Sequence, residues 1–296
     1  MKNPKMLSEI LRKLTINAGK GKPWDRSQAS RALKVLDLLG HGILVTEINE
    51  THVEHLVSTL EERGVASSTI NRYLASLSKM LKYAFKRQSI YHMERMPYIE
   101  WYEESEGRDR YLTQDEEQEI IQLLTDWNMT DYLELFLVLL DTGMRLNEAL
   151  SFKKAKVTSN EVSTLITLDG AITKNGHKRG IPLTQRAKGI VLSLCKNCAS
   201  SDKVFGHLNY WRAENIWRKL RKEMDLQDDK DFVIHSLRHT CATRLAQSGK
   251  VELHLIGKML GHRSWKMINK YAHLIPNNLM GAIGILNNIN KLSDNG

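Results

Sequence analysis

The 296-residue sequence has no long apolar run and contains three cysteines. No window approaches the roughly 18 consecutive apolar residues of a membrane-spanning helix. The opening stretch MKNPKMLSEILRKL also lacks the apolar core of a signal peptide. An odd cysteine count fits a reducing compartment and argues against a disulfide framework. We therefore expect a cytoplasmic protein without a membrane partner.

The sequence also lacks the motifs of metal-dependent and nucleotide-dependent chemistry. Cys195 and Cys198 form one CxxC, but no second pair and no HxxxH accompanies it. This arrangement favours two small residues on a helix over a metal or redox site. A Walker-type glycine-rich loop and a carboxylate cluster for Mg²⁺ are both missing. We expect no cofactor and no metal.

Basic charge is plentiful and unevenly distributed. Residues 1–100 hold 16 basic and 10 acidic residues, a net charge of +6, and residues 151–296 hold 24 and 11, a net charge of +13. Between them, residues 101–150 hold 3 basic and 13 acidic residues, a net charge of −10. Basic blocks of this size indicate a polyanionic partner, with nucleic acid the first candidate, although a basic solvated surface would look the same.

Helical spacing dominates the first third of the chain. We predict helices over 27–40, about 50–64 and 67–88, the last with apolar residues at helical spacing and its basic residues mostly on other faces. These segments predict a small helical domain over 1–98. Residues 99–113 break the periodicity, carry charge and hold one glycine, so we assign them to a linker.

The remaining residues, 114–296, predict a second domain of mixed character. Thr113 and Glu116 resemble a capping box that opens a helix over 114–126, and an apolar helix follows and ends at Gly143. Residues 163–183 alternate β-branched residues with turn signals, which predicts about three antiparallel strands with a tight turn at Asn175-Gly176. The pattern is helical again from 184. The predicted fold class is mainly α with a small antiparallel β-sheet.

Four separated clusters contain residue types that carry chemistry. They are DTGMRLNEAL with Arg145, TKNGHKRGIPL with Lys174, HSLRHTCATRLAQSG with His235 and Arg238, and GHRSWKMINKYAHL with His262 and Tyr271. Because His235 and Arg238 are three residues apart, they share one face of a helix.

Each cluster also has an ordinary explanation. Arg145 is suited to a surface salt bridge with Glu148, and a hairpin lysine such as Lys174 is usually solvated. Tyr271 has the spacing to share a buried helix face with Trp265 and Ile268. The co-occurrence of all four clusters, in this order, favours one catalytic site over four separate coincidences.

These residues and their surroundings resemble the tyrosine recombinases, the phage integrase family. The resemblance covers nearly all of the chain and is sharpest over about 140–275. TGMRLNEAL is similar to the family's first arginine box, HSLRHTCATRL to its second, and LGHRS with INKYAH to its tyrosine box. The catalytic residues implied are Arg145, Lys174, His235, Arg238, His262 and Tyr271, the last as nucleophile. Lys178 is an alternative to Lys174.

The chemistry of these side chains suits the implied reaction. Tyrosine can form a covalent DNA intermediate, but its ordinary pKa of about 10 requires help with its proton. Arg145 and Arg238 match the charge of the pentavalent phosphate, and His262 is suited to donate to the same oxygens. His235 is the candidate base, and the hairpin lysine is the candidate acid for the 5′ oxygen.

The resemblance also implies an architecture and partners. It predicts a helical core-type DNA-binding domain and a catalytic domain that close around double-stranded DNA, and a homotetramer on paired sites. An accessory DNA-bending protein is left open as a further partner. An apolar stripe within 277–296 either caps its own core or docks on a neighbouring protomer. Because 20–25 residues precede the helix at Ser27, we expect no full arm-binding module.

The predicted function is site-specific recombination through a 3′-phosphotyrosine, without metal or ATP, as in a phage or mobile-element integrase. A type IB topoisomerase would share the chemistry and relax supercoils as a monomer. A sequence-specific DNA-binding protein that has lost catalysis is the rival from another class, but it would gain nothing from a nucleophile. The DNA sequence recognised, and the choice among integration, resolution and inversion, do not follow from the residues.

Overall fold

A computed structural model of the chain describes residues 5–16, 26–103, 110–170, 178–262 and 264–274. The chain divides into two compact units, Met1–Gly107 and Arg108–Gly296. None of the helices in the described ranges combines the length and apolarity that a bilayer crossing demands.

The described part of the first unit is helical. Its helices are α1 (Leu7–Ile16), α2 (Arg26–Leu39), α3 (Glu50–Glu62), α4 (Ser67–Phe85) and α5 (Gln88–Tyr91). The three helices predicted from periodicity are thus confirmed, the third ending three residues early. The central α4 buries residues on much of its circumference, among them Leu74, Leu77 and Leu81, while Lys79 and Lys82 stay exposed. Burial of this apolar stripe is what holds a helix of this kind in place.

The described ends of the predicted linker are tied to the units beside them. The Asn71 side chain donates to the Tyr102 carbonyl oxygen at 2.9 Å and accepts from the Tyr102 N–H at 3.0 Å, within the first unit. In the second unit, Arg110 pairs with Glu116 and with Asp229. Residues 104–109, between these anchors, lie outside the described ranges, and the linker bounds of 99–113 stay a prediction.

The second unit is a helical layer around a short sheet. Its helices are α6 (Gln114–Asp126), α7 (Thr130–Thr142), α8 (Leu146–Ala149), α9 (Gln185–Lys196), α10 (Tyr210–Glu223), α11 (His235–Gln247), α12 (Leu253–Leu260) and α13 (Trp265–Asn269), with 3₁₀ turns at Lys154–Lys156 and Ala272–Leu274. The predicted capping box is present, because Thr113 accepts from the Glu116 N–H and the Glu116 side chain accepts from the Thr113 N–H.

The sheet has three antiparallel strands in the order β1 (Val157–Ser159), β2 (Thr164–Leu168) and β3 (Arg179–Pro182). Ile166 of β2 pairs with Ile181 of β3, and both are fully buried. The fold class is therefore confirmed as mainly α with a small antiparallel sheet. The predicted start of the sheet at residue 163 is wrong, because β1 lies earlier, at Val157–Ser159. The prediction missed this strand because its three residues contain no long β-branched run. The predicted turn at Asn175-Gly176 lies outside the described residues.

Partly exposed ion pairs join the acidic stretch to the rest of the second unit. Glu117 pairs with Arg186 at 2.8 Å and with Arg244 at 2.6 Å, and Asp141 pairs with Arg186 at 2.5 Å. These carboxylates come from residues 101–150, and their arginines come from the basic block that follows. Part of the charge asymmetry along the sequence is therefore neutralised inside one unit.

Candidate active site

Arg145 follows a helix end whose backbone conformation favours glycine. Gly143 ends α7 with a φ of +62°, in the left-handed region, and a Cβ there would lie 2.5 Å from the Leu260 Cδ2 atom. The chain then turns so that Arg145 caps the short helix α8. The close approach of Leu260 shows that the turn packs directly against α12.

A buried carboxylate holds Arg145. Glu148, with 1% of its surface exposed, accepts from the Arg145 backbone N–H at 2.9 Å and from the Arg145 Nη1 at 3.1 Å. Burial by itself raises the pKa of Glu148. Hydrogen bonds from Arg179 and from the Arg145 backbone outweigh burial, so its pKa lies below the ordinary value. The predicted Arg145–Glu148 contact is present, but it is an internal brace and not a surface salt bridge.

Arg179 is a member of this network that the sequence reading missed. Its Nη1 and Nη2 donate to the two Glu148 carboxylate oxygens at 3.1 Å and 2.7 Å, and its Nε donates to the Met259 carbonyl at 3.0 Å. A Cβ on Gly261 would lie 2.9 Å from the Arg179 Nη1. Arg179 therefore joins β3, α8 and the end of α12. The sequence does contain a signal that Arg179 faces the interior. Side chains alternate along a strand, so Arg179 lies on the same face as Ile181, which is buried.

Arg238 lies deep in the same region. Only 3% of its surface is exposed, and its two terminal nitrogens donate to the carbonyl oxygens of Gly143 and Leu260, both at 2.6 Å. Burial, reinforced by the positive charge of Arg145, lowers the pKa of Arg238 to about 9, against a smaller opposing effect of Glu148. The guanidinium is thus rigidly placed in surroundings already rich in positive charge.

His262 follows the left-handed Gly261 that ends α12. Its backbone N–H donates to the Gly257 carbonyl at 2.8 Å, while its buried Nδ1 has no hydrogen-bond partner among the described residues. Burial, followed by the charges of Arg238 and Arg145, lowers the pKa of His262 to about 3. The imidazole is therefore neutral at physiological pH and retains one N–H donor.

Tyr271 is a buried residue, with 4% of its surface exposed, and it packs with Ala242, Ala246, Ile256 and Leu260. Its ring stacks on that of His262, with centroids 6.3 Å apart and planes 6° apart. The predicted shared face is wrong for Trp265, which is 66% exposed at the first position of α13. Ile268 does pack inward, against Gly257.

His239, which the sequence reading did not select, contacts the tyrosine directly. Its Nδ1 lies 3.0 Å from the Tyr271 hydroxyl. Its position in the sequence could have identified it as a site residue, because it follows Arg238 directly and lies one helical turn after His235. Because α11 presents residues four apart on one side, the two histidine rings meet edge to face at 5.2 Å.

A groove of about 370 Å³ opens beside these residues. Arg145 and His235 line it together with Tyr210 and Glu214. Lys174 lies outside the described residues, so its place relative to the groove stays a prediction. Lys178 is exposed at the entry to β3.

Positive charge exceeds negative charge at this site. Among the described residues, the guanidinium groups of Arg145, Arg179 and Arg238 lie around the carboxylate of Glu148, and the carboxylate of Glu214 lines the neighbouring groove. A buried excess of positive charge is costly unless an anion joins it. In the described ranges, no group of three or more His, Cys, Asp or Glu side chains is placed to hold a metal ion. The arrangement is therefore suited to a phosphate group.

Known proteins resemble this chain in sequence and in fold. The model of the phage integrase family matches residues 110–278, more than half of the chain. The shufflon-specific DNA recombinase of Escherichia coli is 26% identical over 215 residues, which cover 72% of this chain and 52% of that protein. Tyrosine recombinase XerA of Saccharolobus solfataricus is 27% identical over 222 residues, which cover 74% of this chain and 68% of that protein.

The fold has solved counterparts. The Tn1549 transposon integrase, in complex with circular intermediate DNA, superposes with a TM-score of 0.70 at 16% identity, covering 90% of this chain and 94% of that one. The chain belongs to the phage integrase family, the tyrosine-type site-specific DNA recombinases. It spans about half the length of the shufflon recombinase that it matches.

Proposed function

We propose that this protein cuts and rejoins double-stranded DNA through a 3′-phosphotyrosine at Tyr271. The observation that carries the proposal is that Arg145 and Arg238 lie beside the buried carboxylate of Glu148, that both arginines act on His262, and that Tyr271 stacks on His262. These groups come from three separate segments of the chain. A structural ion pair would not require an excess of positive charge or a stacked phenol.

Each residue has a role in the proposed reaction. Arg145 and Arg238 bind the non-bridging oxygens of the phosphate, and the neutral His262 donates its one N–H to the same group. His235, the base that the family resemblance implies, lines the groove together with Arg145. Lys174 protonates the departing 5′ oxygen, with Lys178 as the alternative. Neither metal nor nucleotide takes part.

The decisive experiment uses a nicked duplex in which the cleaved fragment diffuses away, so that the covalent adduct accumulates. Because the DNA site is unidentified, the probe is a pool of nicked duplexes with a randomised core, from which SDS-resistant adducts are selected with the wild-type protein. Tyr271→Phe is expected to bind the selected duplex and form no adduct, since the attacking oxygen is gone. Tyr98→Phe, at a tyrosine that is 71% exposed, is the matched control and should react like wild type.

The other outcomes separate the rival functions. An adduct that persists in Tyr271→Phe contradicts the assignment of the nucleophile. Failure of the wild type to form any adduct on DNA that it binds favours a binding-only protein. Relaxation of supercoiled plasmid without exchange between two sites favours a type IB topoisomerase. Two-site recombination supports the proposal.

We extend the proposal to partners and setting. DNA as the partner is supported by the basic charge of the chain and by the DNA in the Tn1549 complex. A domain over 1–98 and another over 114–296 would close on the duplex, and four protomers would assemble on paired sites. An accessory DNA-bending protein is a further candidate partner. The setting is the cytoplasm of a bacterial cell, including one that hosts a phage, and the biological role is that of a phage or mobile-element integrase.

The tetramer has its own test. Removal of residues 277–296, which lie outside the described residues, should weaken cooperative assembly on paired sites if their apolar stripe docks on a neighbouring protomer. Band-shift titrations on one-site and two-site duplexes measure this cooperativity. Unchanged cooperativity would contradict a role in trans.

A further inference from the structure

The Tyr271 hydroxyl already has a hydrogen-bond partner, and that partner is His239. The distance from the His239 Nδ1 to the hydroxyl oxygen is 3.0 Å, inside the range over which a general base takes a proton. The two rings lie with centroids 6.3 Å apart and planes 43° apart, so the contact is made through the polar atoms and not by ring stacking.

The packing of the surrounding residues holds both Tyr271 and His239 in place. Tyr271 is held among Ala242, Ala246, Ile256 and Leu260, and two of these residues lie on α11 together with His239. Rotation of the phenol away from the imidazole would therefore disturb a packed cluster. The next residue before His239 is Arg238, whose guanidinium is held by two backbone carbonyls. One helix thus presents both a phosphate ligand and the partner of the nucleophile.

His235 occupies a different position. It lines the groove with Arg145, and its ring meets the His239 ring edge to face, with centroids 5.2 Å apart. The two histidines on this face of α11 thus have different neighbours: His235 faces the groove, and His239 faces the phenol. The sequence pattern alone could not separate these two environments, because residues four apart share one helix face.

We propose that His239 is the catalytic residue that takes the hydroxyl proton of Tyr271 during DNA cleavage. This inference rests on the proposed function of the site. A phenol with an ordinary pKa of about 10 is a weak nucleophile near neutral pH, whereas an imidazole of ordinary pKa about 6.5 accepts protons there. The acceptor is Nδ1, which requires the neutral tautomer with its proton on Nε2.

The step balances in both directions. As the Tyr271 oxygen forms its bond to phosphorus, the O–H bond breaks and the proton passes to the His239 Nδ1. The bond from phosphorus to the 5′ oxygen breaks with its electron pair on that oxygen, which takes a proton from the general-acid lysine. In rejoining, a 5′ hydroxyl attacks the phosphotyrosine and gives its proton to the lysine. The departing phenolate recovers its proton from His239, by microscopic reversibility.

The surroundings offer room for solvent beside the pair. A cavity of about 40 Å³, lined by Tyr111, Thr243, Lys270 and His273 together with His239 and Tyr271, adjoins both side chains. A cavity of this size holds about one water molecule. The imidazole therefore has a neighbouring place from which to exchange its proton between turnovers.

The test compares variants on the duplex selected with the wild-type protein. His239→Gln keeps a polar side chain of similar length but cannot accept a proton to give a cation. We expect adduct formation to slow by a factor on the order of 10²–10⁴, the usual contribution of a general base, with DNA binding retained. His254→Gln is the matched control, since His254 is exposed in the same unit and pairs with the exposed Glu252.

Chemical rescue distinguishes proton transfer from simple support of the fold. Replacement of Tyr271 by 3-fluorotyrosine lowers the pKa of the phenol and reduces the need for a base. It should restore much of the cleavage rate of His239→Gln, and it should not restore that of Arg145→Ala. Rescue of His235→Gln but not of His239→Gln would assign the base to His235 and overturn the proposal.

Two further measurements test the role of His239, and the first uses only the wild-type protein, so it does not depend on the folding of a variant. Spectra of the ¹⁵N-labelled wild-type protein should show the His239 proton on Nε2, and a proton on Nδ1 would overturn the proposal. Cleavage by His239→Gln within about twofold of wild type would also overturn it. If the wild type forms no adduct, or Tyr271→Phe still forms one, the proposed function itself fails, which is a different result from the loss of rescue.

Discussion

Two carboxylates of the second unit are each held between two arginines, yet their surroundings differ. Glu148 lies between Arg145 and Arg179, and its side chain is 2% exposed. Glu117 lies between Arg186 and Arg244, its side chain is 11% exposed, and both arginine side chains are 38% exposed. Asp141 also neutralises Arg186, whereas Arg238 adds a further positive charge beside Glu148.

The difference shows that pairing of one carboxylate with two arginines can either join helices or leave an excess of positive charge for an anion. Around Glu117, negative and positive charges match and water reaches the arginines, so the cluster joins helices α6, α9 and α11. Around Glu148, which is itself buried, two guanidiniums pair with the carboxylate and the buried guanidinium of Arg238 lies close by. Such an excess is costly without an anion, and a DNA phosphate would supply it. Burial and charge imbalance, and not the presence of an ion pair, distinguish the network proposed to be catalytic.

Replacement of the buried carboxylate should have the largest effect. Glu148→Gln removes the charge that Arg145 and Arg179 share, and loss of one partner of a buried pair costs about 3–5 kcal/mol. Urea unfolding measures this loss, and the nicked duplex should give little adduct because Arg145 is no longer braced. Glu117→Gln is the matched control. We expect it to cost about 1 kcal/mol, as for pairs in reach of solvent, and to leave cleavage unchanged. Equal losses in the two variants would contradict the comparison.

A change of one arginine in each cluster should have a smaller effect. Arg179→Lys keeps the charge but loses the fork that grips both Glu148 oxygens and the Met259 carbonyl. We expect a loss of about 1–3 kcal/mol, the typical value of hydrogen bonds to charged groups, and a fall in cleavage rate with DNA affinity retained. Arg186→Lys, whose pairs are partly exposed, should keep its cleavage rate. A fall in rate for Arg186→Lys, or none for Arg179→Lys, would contradict the positioning role.

The smallest effect should appear in acid. The folded-state pKa of Glu148 lies below its ordinary value of 4.5, so its carboxylate contributes stability that is fully present above that pH. This contribution is lost as the pH falls through the folded-state pKa. The gap in unfolding free energy between wild type and Glu148→Gln should therefore stay constant above about pH 5 and shrink below it. Urea unfolding at stepped pH measures the gap, and a gap that widens in acid would contradict the sign.

His262 provides an internal reference for that measurement. Its folded-state pKa of about 3 lies below the ordinary value of 6.5, so protons favour the unfolded chain in the window between them. Both proteins should lose this stability together as the pH falls from 6.5, because the unfolded state binds more protons. Only the difference between them reports on Glu148.

Much of the fold followed from local patterns. The helix predicted over about 114–126 is confirmed, with its start fixed by the capping box at Thr113, and the apolar helix ends at Gly143 as predicted. Both signals act within a few residues, so no knowledge of the distant chain is needed. The start of the sheet was misplaced, since β1 is three residues long and offers almost no alternation to detect.

In the candidate site, too, some features followed from the sequence and others did not. The six residues implied by the family motifs stay a prediction in their roles, yet Arg145, Arg238, His262 and Tyr271 lie close enough to affect one another. Trp265 was expected inside because it lies at helical spacing from Tyr271, but α13 is a five-residue helix that turns Trp265 to solvent. The spacing of residues along a helix predicts which of them share a face, but it does not predict which face is buried against the rest of the protein.

The sequence by itself determined the helices, the small sheet, the reactive side chains and the excess of basic charge. Only the tertiary structure decided that Arg179 braces Arg145 through Glu148, that the acidic stretch pairs with arginines far along the chain, and that His239 meets the Tyr271 hydroxyl. The physical reason is range. Capping and periodicity act over one or two helical turns, whereas these contacts join residues 31, 69 and 32 positions apart, which only the packed fold brings together.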